Sequence, residues 1–425
     1  MKKALIPLLS IFLVLPVVAC AQPAAAGLEI SDKPRVTSPV VSPTDQVSLV
    51  DGDSAFAFEL YQSLKEKDGN LFYSPHSISL ALAMTYAGAR SETAQQMADT
   101  LHFTLPQERL HPAFNSLALE LGKRGQGAQG KDGEGFRLNI VNAIWGQDGY
   151  NFQPAFLDVL AENYGAGLRI MDFIKETEKS RITINQWVSD QTEDRIKDLI
   201  PQGAINELTR LVLTNAVYFN AAWQHQFNKN QTEDGQFHLL DGKQVTVPMM
   251  RQTESFGYIK GEGYQAIELP YDGNELSMVV LLPEAGQFKA FEEDLQTQRV
   301  SDIINSLRGS RVDLTMPRFE FDSEFSLKDT LAKMGMPVAF TDSADFSGMT
   351  GKRELSISDV IHKPFVSVDE TGTEAAAATA VIVGVTSAPV EPPVALTIDR
   401  PFIFLIRDIE TGAVIFVGRV TNPGS

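Results

Sequence analysis

Between Glu370 and Pro393 the chain reads ETGTEAAAATAVIVGVTSAPVEPP, and the fourteen residues from Ala375 to Ala388 hold neither a charge nor a proline. The alanines lean weakly toward helix, the Val-Ile-Val-Gly-Val run toward strand. Glu-Thr-Gly on one side and prolines on the other bound the segment as a loop is bounded. Loops beyond about 12–15 residues in compact domains are functional or unstructured, and an unstructured one would be polar. Laid out as a strand, one face presents Thr373, Ala375, Ala377, Thr379, Val381 and Val383, all small or β-branched and uncharged. The other face carries Glu374, Ala376, Ala378, Ala380, Ile382 and Gly384, with the only charge. Extended, these residues span roughly 40 Å. The segment can therefore stand out as a loop and also lie buried as a central strand. An ordinary β-strand is the plainer alternative, and the length and the alanine run speak against it.

The rest of the composition narrows the function classes. The chain has 425 residues, 43% hydrophobic and 21% charged, a balance that buries a real core in one large or a few smaller domains. A formal charge of −18 disfavours nucleic acid and polybasic membrane contact. One cysteine, Cys20, permits no intrachain disulfide, zinc ribbon or CxxC redox chemistry. The six histidines form no HExxH and no pair at metal-ligand spacing. Phosphate-loop, GxGxxG and GxSxG motifs are missing. A dispersed serine triad leaves no local signature, and nothing points to one. The reading is a protein that is not an enzyme and needs no cofactor or metal.

The amino terminus reads as an address. Met1-Lys2-Lys3 and the apolar run Ala4–Ala19 fit a secretory signal, too short and proline-broken for a membrane span. The run ends in Val17-Val18-Ala19-Cys20, similar to a bacterial lipobox with Val17 where leucine is usual. Residues 1–20 are thus expected to be a signal peptide with a lipidated Cys20, and 21–50, rich in Pro, Ser, Ala and Val, a flexible tether. The protein would be secreted across the inner membrane and lipid-anchored in a bacterial envelope, or extracellular.

From Asp51 the pattern is globular. An amphipathic helix is expected over 54–65 with Ser54 as N-cap, and a helix apolar on nearly every side over 77–88, opened by Ser74-Pro75. Further helices follow at 92–101, 108–121, 154–163 and 177–192, and near 325–334. Strands are expected at 137–145, at the long buried run Arg210–Asn220, and repeatedly from Gly263 to Arg419. No repeat or second composition shift appears, so one mixed α and β domain covers about 51–425.

Segments across this domain carry a resemblance. DETGTEAAAATAV (Asp369–Val381) looks like the hinge of inhibitory serpins, the serine protease inhibitor family. NLFYSPHSISLALAMTYAGARSETAQQM (Asn70–Met97), TNAVYFNAAWQHQF (Thr214–Phe227), ISDVIHKPFVSVDETGTEA (Ile357–Ala375) and RPFIFLIRDIETGAVIFVGRVTNP (Arg400–Pro423) are similar to other family segments, in family order.

The resemblance implies an α+β serpin fold with three β-sheets, about nine helices and an exposed reactive-centre loop at about 370–393. It implies an irreversible suicide-substrate inhibitor: the protease cleaves the loop, is trapped as a covalent acyl-enzyme, and the loop inserts into the large sheet of a metastable fold. Hinge positions would be Glu370, Gly372, Thr373, Glu374, Ala375, Ala376, Ala377 and Ala378. Family spacing puts the scissile bond at Thr386–Ser387, with Val383, Gly384 and Val385 setting specificity. These small side chains favour an elastase-like or subtilisin-like serine protease. A papain-like target chosen through Val385 stays open, as does a non-inhibitory serpin acting as a binding protein. Ser74, Ser77, Asn215 and His362 match the family's polar cluster where the sheet opens, and Trp223 matches a tryptophan where the loop first enters. For Ser74 alone, helix capping is the plainer role, and for His362 a satisfied buried histidine. Glu92–Leu121 holds only Arg109, so no basic helix suggests a heparin-like activator. The expected partner is the target protease, with the inhibitor a monomer, no nucleic acid, and membrane contact only through the lipid anchor.

Overall fold

The computed structural model describes residues 27–130, 132, 135–373 and 392–424. The positions expected at Cys20, Glu374–Ala378, Val383–Val385, Thr386 and Ser387 lie outside them.

The described strands form two hydrogen-bonded sheets rather than the three expected. The large sheet runs, in spatial order, β1 (Gly27–Glu29), β4 (Leu168–Met171), β3 (Arg137–Gln147), β5 (Leu211–Ala222), β14 (Gly372–Thr373), β13 (Asp359–Val368) and β11 (Phe319–Asp322), with β12 (Phe325–Ser326) also on β13. The second runs β15 (Val394–Thr397), β10 (Arg308–Pro317), β7 (Gln244–Gly261), β8 (Tyr264–Pro270), β9 (Leu276–Pro283), β16 (Phe402–Asp408), β17 (Val414–Val420) and β2 (Leu71–Tyr73), with β6 (Glu233–His238) on β7. The count differs because β7, 18 residues long, pairs with β6 near its start and β8 near its end, joining what would be two sheets.

Ten α-helices are described: α1 (Pro43–Leu64), α2 (Pro75–Tyr86), α3 (Ser91–Thr100), α4 (Gln107–Leu121), α5 (Pro154–Tyr164), α6 (Thr177–Gln191), α7 (Phe288–Glu293), α8 (Thr297–Ser306), α9 (Lys328–Met334) and α10 (Ser347–Thr350). The all-round apolar helix is α2, with eleven of its twelve residues buried. It lies against β3, β5 and β17, and so sits between the sheets. Each large apolar side chain buried there contributes about 1.5–3 kcal/mol. Phe72 stacks on Phe416 and Phe404, and Phe219 of β5 packs on Phe416, tying the large sheet to the second.

Two expectations about the amino-terminal side need correction. The first helix begins at Pro43, not Ser54: Ser42 caps it, its side chain accepting from Asp45 N at 3.1 Å. Asp51, Gly52 and Asp53 are all helical. A Cβ on Gly52 would lie 2.5 Å from His102 O, and buried Asp53 accepts from His76 Nδ1 at 2.9 Å and Ser79 Oγ at 2.6 Å. Nor is the stretch from Gly27 to Val50 a tether. β1 pairs antiparallel with β4, Lys33 bonds Asp158 and Glu162, and Val36 N donates to Glu162 O at 2.9 Å. The proline-rich chain ahead of Pro43 fits an open sheet edge and a helix flank, and the rest of the stretch is the first two turns of α1.

Candidate functional site

The site is the seam between β5 and β13. All twelve residues of β5 are buried, the two-sided burial its apolar run announced. β13 runs parallel to β5 and pairs with it from Asp359↔Val212 to Pro364↔Val217. Beyond that point the direct pairing stops. β14 enters between the two strands, Gly372 and Thr373 opposite Ala222 and Ala221, and Thr373 opposite Val368. One end of the seam is parted and the other is closed.

At the parted end, the chain from Asp369 to Thr373 is held by backbone and side chain alike. Trp223, just past β5, donates from its backbone N to Thr371 O and from Nε1 to Asp369 O, both at 2.9 Å. Its ring stacks on Tyr271 at 4.8 Å, and Tyr271 OH meets Thr373 Oγ1 at 2.9 Å. Burial pushes the Tyr271 phenol far above its ordinary pKa, so it stays a neutral hydrogen-bonding group. Gly372 has no room for a side chain: a Cβ would lie 2.1 Å from Ala221 O. Glu370 is 1% exposed. Arg318 Nε donates to its Oε1 at 2.7 Å, joined by Arg318 Nη2 and Thr232 Oγ1, and Phe227 N donates to Glu370 O at 2.8 Å. Burial alone would raise the Glu370 pKa, but the bonds from Arg318 and Thr232 outweigh it and hold the carboxyl below its usual range. The exposed loop expected from about Glu370 is therefore corrected for Glu370, Thr371, Gly372 and Thr373. Each is buried: Gly372 and Thr373 because they already belong to the sheet, Glu370 and Thr371 because the bend before them packs on Arg318, Phe227 and Trp223.

At the closed end sits the expected polar cluster. Ser74 caps α2, accepting from Ser77 N at 3.3 Å and donating to Ile415 O at 2.7 Å. Its backbone N donates to His362 Nε2 at 3.0 Å. His362 lies opposite Asn215 across the seam, and Asn215 Nδ2 donates to Ser77 Oγ and Asn142 Oδ1. Burial drives the His362 pKa down to about 3, despite an opposing bond with the Asn215 backbone, so the ring is a neutral acceptor for Ser74 N–H. Asn215 Oδ1 and His362 Nδ1 are buried without partners. For Ser74 the capping role and a place at the seam hold together, while His362 is satisfied at Nε2 only, its Nδ1 being buried without a partner; both line the seam.

Ser74, Ser77, Asn215 and His362 thus gather in one place, while Trp223 stands apart from them, eight residues along β5 or roughly 26 Å of strand. The sequence reading missed Asn142, Arg318, Thr232 and Tyr271. Asn142 was visible as a polar residue within an apolar strand. The other three meet the hinge only through tertiary contacts and leave no local signal.

A family model described as Serpin (serine protease inhibitor) matches residues 51–423. Human leukocyte elastase inhibitor is 40% identical over 387 residues, covering 88% of this chain and 99% of its own. An uncharacterized serpin-like protein of Thermococcus kodakarensis is 39% identical over 395 residues, 92% of this chain and 90% of its own. Among solved structures, the thermophilic serpin tengpin in its native state superposes with a TM-score of 0.81 at 29% identity, over 94% of this chain and 100% of its own. Human thyroxine-binding globulin complexed with its ligand gives 0.80 at 28%, over 90% and 100%. The chain belongs to the serpin family.

Proposed function

We propose that this serpin is an irreversible suicide-substrate inhibitor of an elastase-like or subtilisin-like serine protease. The observation that carries the reading is the seating of Gly372 and Thr373 between β5 and β13, at the parted end of a seam that continues to Asn215 and His362. From Thr373 on, one face of the alternation is small and uncharged, as a packed sheet accepts without burying a charge, and Glu374 falls on the other face. The protease serine would attack the Thr386 carbonyl and the peptide bond to Ser387 would break. The new Ser387 amine would leave, with Thr386 held as the acyl ester. Insertion of the freed strand would then carry the bound protease along before water can cleave the ester. Relatives named for elastase inhibition, in human and rat, support the target class. A non-inhibitory binding role draws its support from thyroxine-binding globulin among the similar structures.

Incubation with pancreatic elastase and with subtilisin, read by SDS gel and mass spectrometry, tests the proposal. An SDS-stable complex with release of a peptide beginning at Ser387 is expected. Clean cleavage without a complex across serine and papain-like proteases would overturn inhibition and favour the binding role. We further propose a lipid anchor at Cys20 in a bacterial envelope. Among the described residues, no helix is long and apolar enough to cross a membrane. Incorporation of labelled palmitate that is lost on Cys20→Ala is expected, and equal labelling of both forms would contradict the anchor.

A further inference from the structure

Two arginines lie away from the seam in an unusual setting. The chain is strongly acidic, yet Arg35 and Arg169 have no carboxylate within ion-pair distance among the described residues. Arg35 donates from Nε to Asn115 Oδ1 at 2.9 Å. Arg169 lies over the rings of Trp187, 4.3 Å from the centroid, and Trp145, at 5.4 Å. Burial lowers the pKa of each guanidinium, as expected of cations drawn out of water without a counter-charge. Both side chains are only partly buried, and each guanidinium keeps donor capacity, with no carboxylate beside it, that an anion could take up.

Both arginines line one cavity of about 550 Å³. Leu28 of β1, Ile30 just after it and Trp187 of α6 also line it. The space exists because β4 pairs with β3 only from Ile144 onward, which leaves the Asn142–Ala143 edge uncovered on that side. A second cavity of about 230 Å³ shares Arg35, Asn142, Tyr164 and Ala166 with the first, and its walls include Leu80, Met84, Leu138 and Ile140. His76, 1% exposed, also lines it, and its Nε2 has no partner because Nδ1 is committed to Asp53.

We infer that these joined cavities are a binding site for an amphipathic organic anion. Its carboxylate or sulfonate is held by Arg35 and Arg169 and its apolar body lies toward Leu80, Met84 and Ile140. The combined volume suits a small ligand. An ionised headgroup supplies the acceptors that the two guanidinium groups lack, and a planar guanidinium is well suited to a two-oxygen anion. Lys33, at the rim, is already taken by Asp158 and Glu162 and is not needed for recognition. Because Leu28 of β1 and Ile30 and Arg35 just after it belong to the amino-terminal segment, an occupant also fastens that segment to the body.

The test is calorimetric titration of the full chain with decanoate, beside the uncharged decanol, at matched ionic strength. Saturable one-to-one binding of decanoate is expected, weakened about tenfold or more by Arg35→Gln or Arg169→Gln, the loss of a charge-assisted bond. Decanol should bind at least as much more weakly. Thermal unfolding reports whether each variant is folded. Should Arg169→Gln fail to fold, Arg35→Gln decides. As a local readout, decanoate should change tryptophan fluorescence in Trp223→Phe and not in Trp187→Phe/Trp145→Phe. No saturable binding below millimolar decanoate overturns the site, as does binding indifferent to the headgroup charge and to both substitutions.

Discussion

The two ends of the β5–β13 seam are built on different principles. At the parted end the chain is fixed by shape and charge: a glycine against Ala221 O, a threonine on the Tyr271 hydroxyl, a buried glutamate on Arg318. At the closed end the strands pair directly over Asp359–Pro364, and the side chains beneath are uncharged, with Asn215 Oδ1 and His362 Nδ1 unsatisfied. Orphaned buried polar atoms carry a desolvation cost of about 1–3 kcal/mol each. The difference lies in where the spare bonding capacity sits. At the hinge end Glu370 Oε2 is buried without a partner, but the other oxygen of the same carboxylate takes bonds from Arg318 and Thr232. At the closed end the unpartnered atoms lie on the two paired strands themselves, where an inserted strand could use them.

Breaking the hinge end should have the largest effects. Thr373→Arg puts an unpaired cation into a position 2% exposed and should abolish complex formation while leaving the loop cleavable. SDS gels of protease mixtures read this directly, and a wild-type yield of complex would contradict it. Gly372→Val forces a side chain onto Ala221 O and Ala222 Cα, so the hinge has to leave its slot. The moles of inhibitor consumed per mole of protease should rise severalfold in a titration of residual protease activity.

Glu370→Ala removes the carboxylate that Arg318 and Thr232 share. Arg318 is partly exposed and can return to water, so the cost is moderated to about 1–3 kcal/mol. A urea unfolding series should show a lower midpoint, and an unchanged one would mean the latch is idle.

Near neutral pH the closed end has the smallest effect, one that grows only on acidification and so sharpens the contrast. His362 is held to about 3 in the fold, against an ordinary histidine near 6.5 in the unfolded chain. The unfolded state therefore binds the extra proton first. Stability is intact above about pH 6.5 and declines as pH falls toward 3, by at most about 1.4 kcal/mol per pH unit from this group. Buried His111, lowered to about 4, acts in the same direction. His362→Gln should flatten this acid-side slope in urea midpoints. An unchanged slope would remove His362 as its source.

What could be read in the sequence was what is local. The apolar run of β5, the Ser74 cap on α2 and the alternation of the hinge need no distant partner to be recognised. β7 escaped because its exposed and buried positions alternate irregularly around Pro248 and its identity rests on pairing with β10, more than fifty residues away in the chain. The amino-terminal strand escaped for the same reason, since its acceptor edge is β4. Arg318 reads as one basic residue between two strands, and only the fold sets it beside Glu370.

The most direct test of the account is the structure of the protein after its loop is cut at Thr386–Ser387. The account predicts residues 374–385 as a new strand between β5 and β13, with Asn215 and His362 no longer paired across the seam. A cleaved molecule in which His362 still lies opposite Asn215 and β5 still pairs with β13 would contradict it.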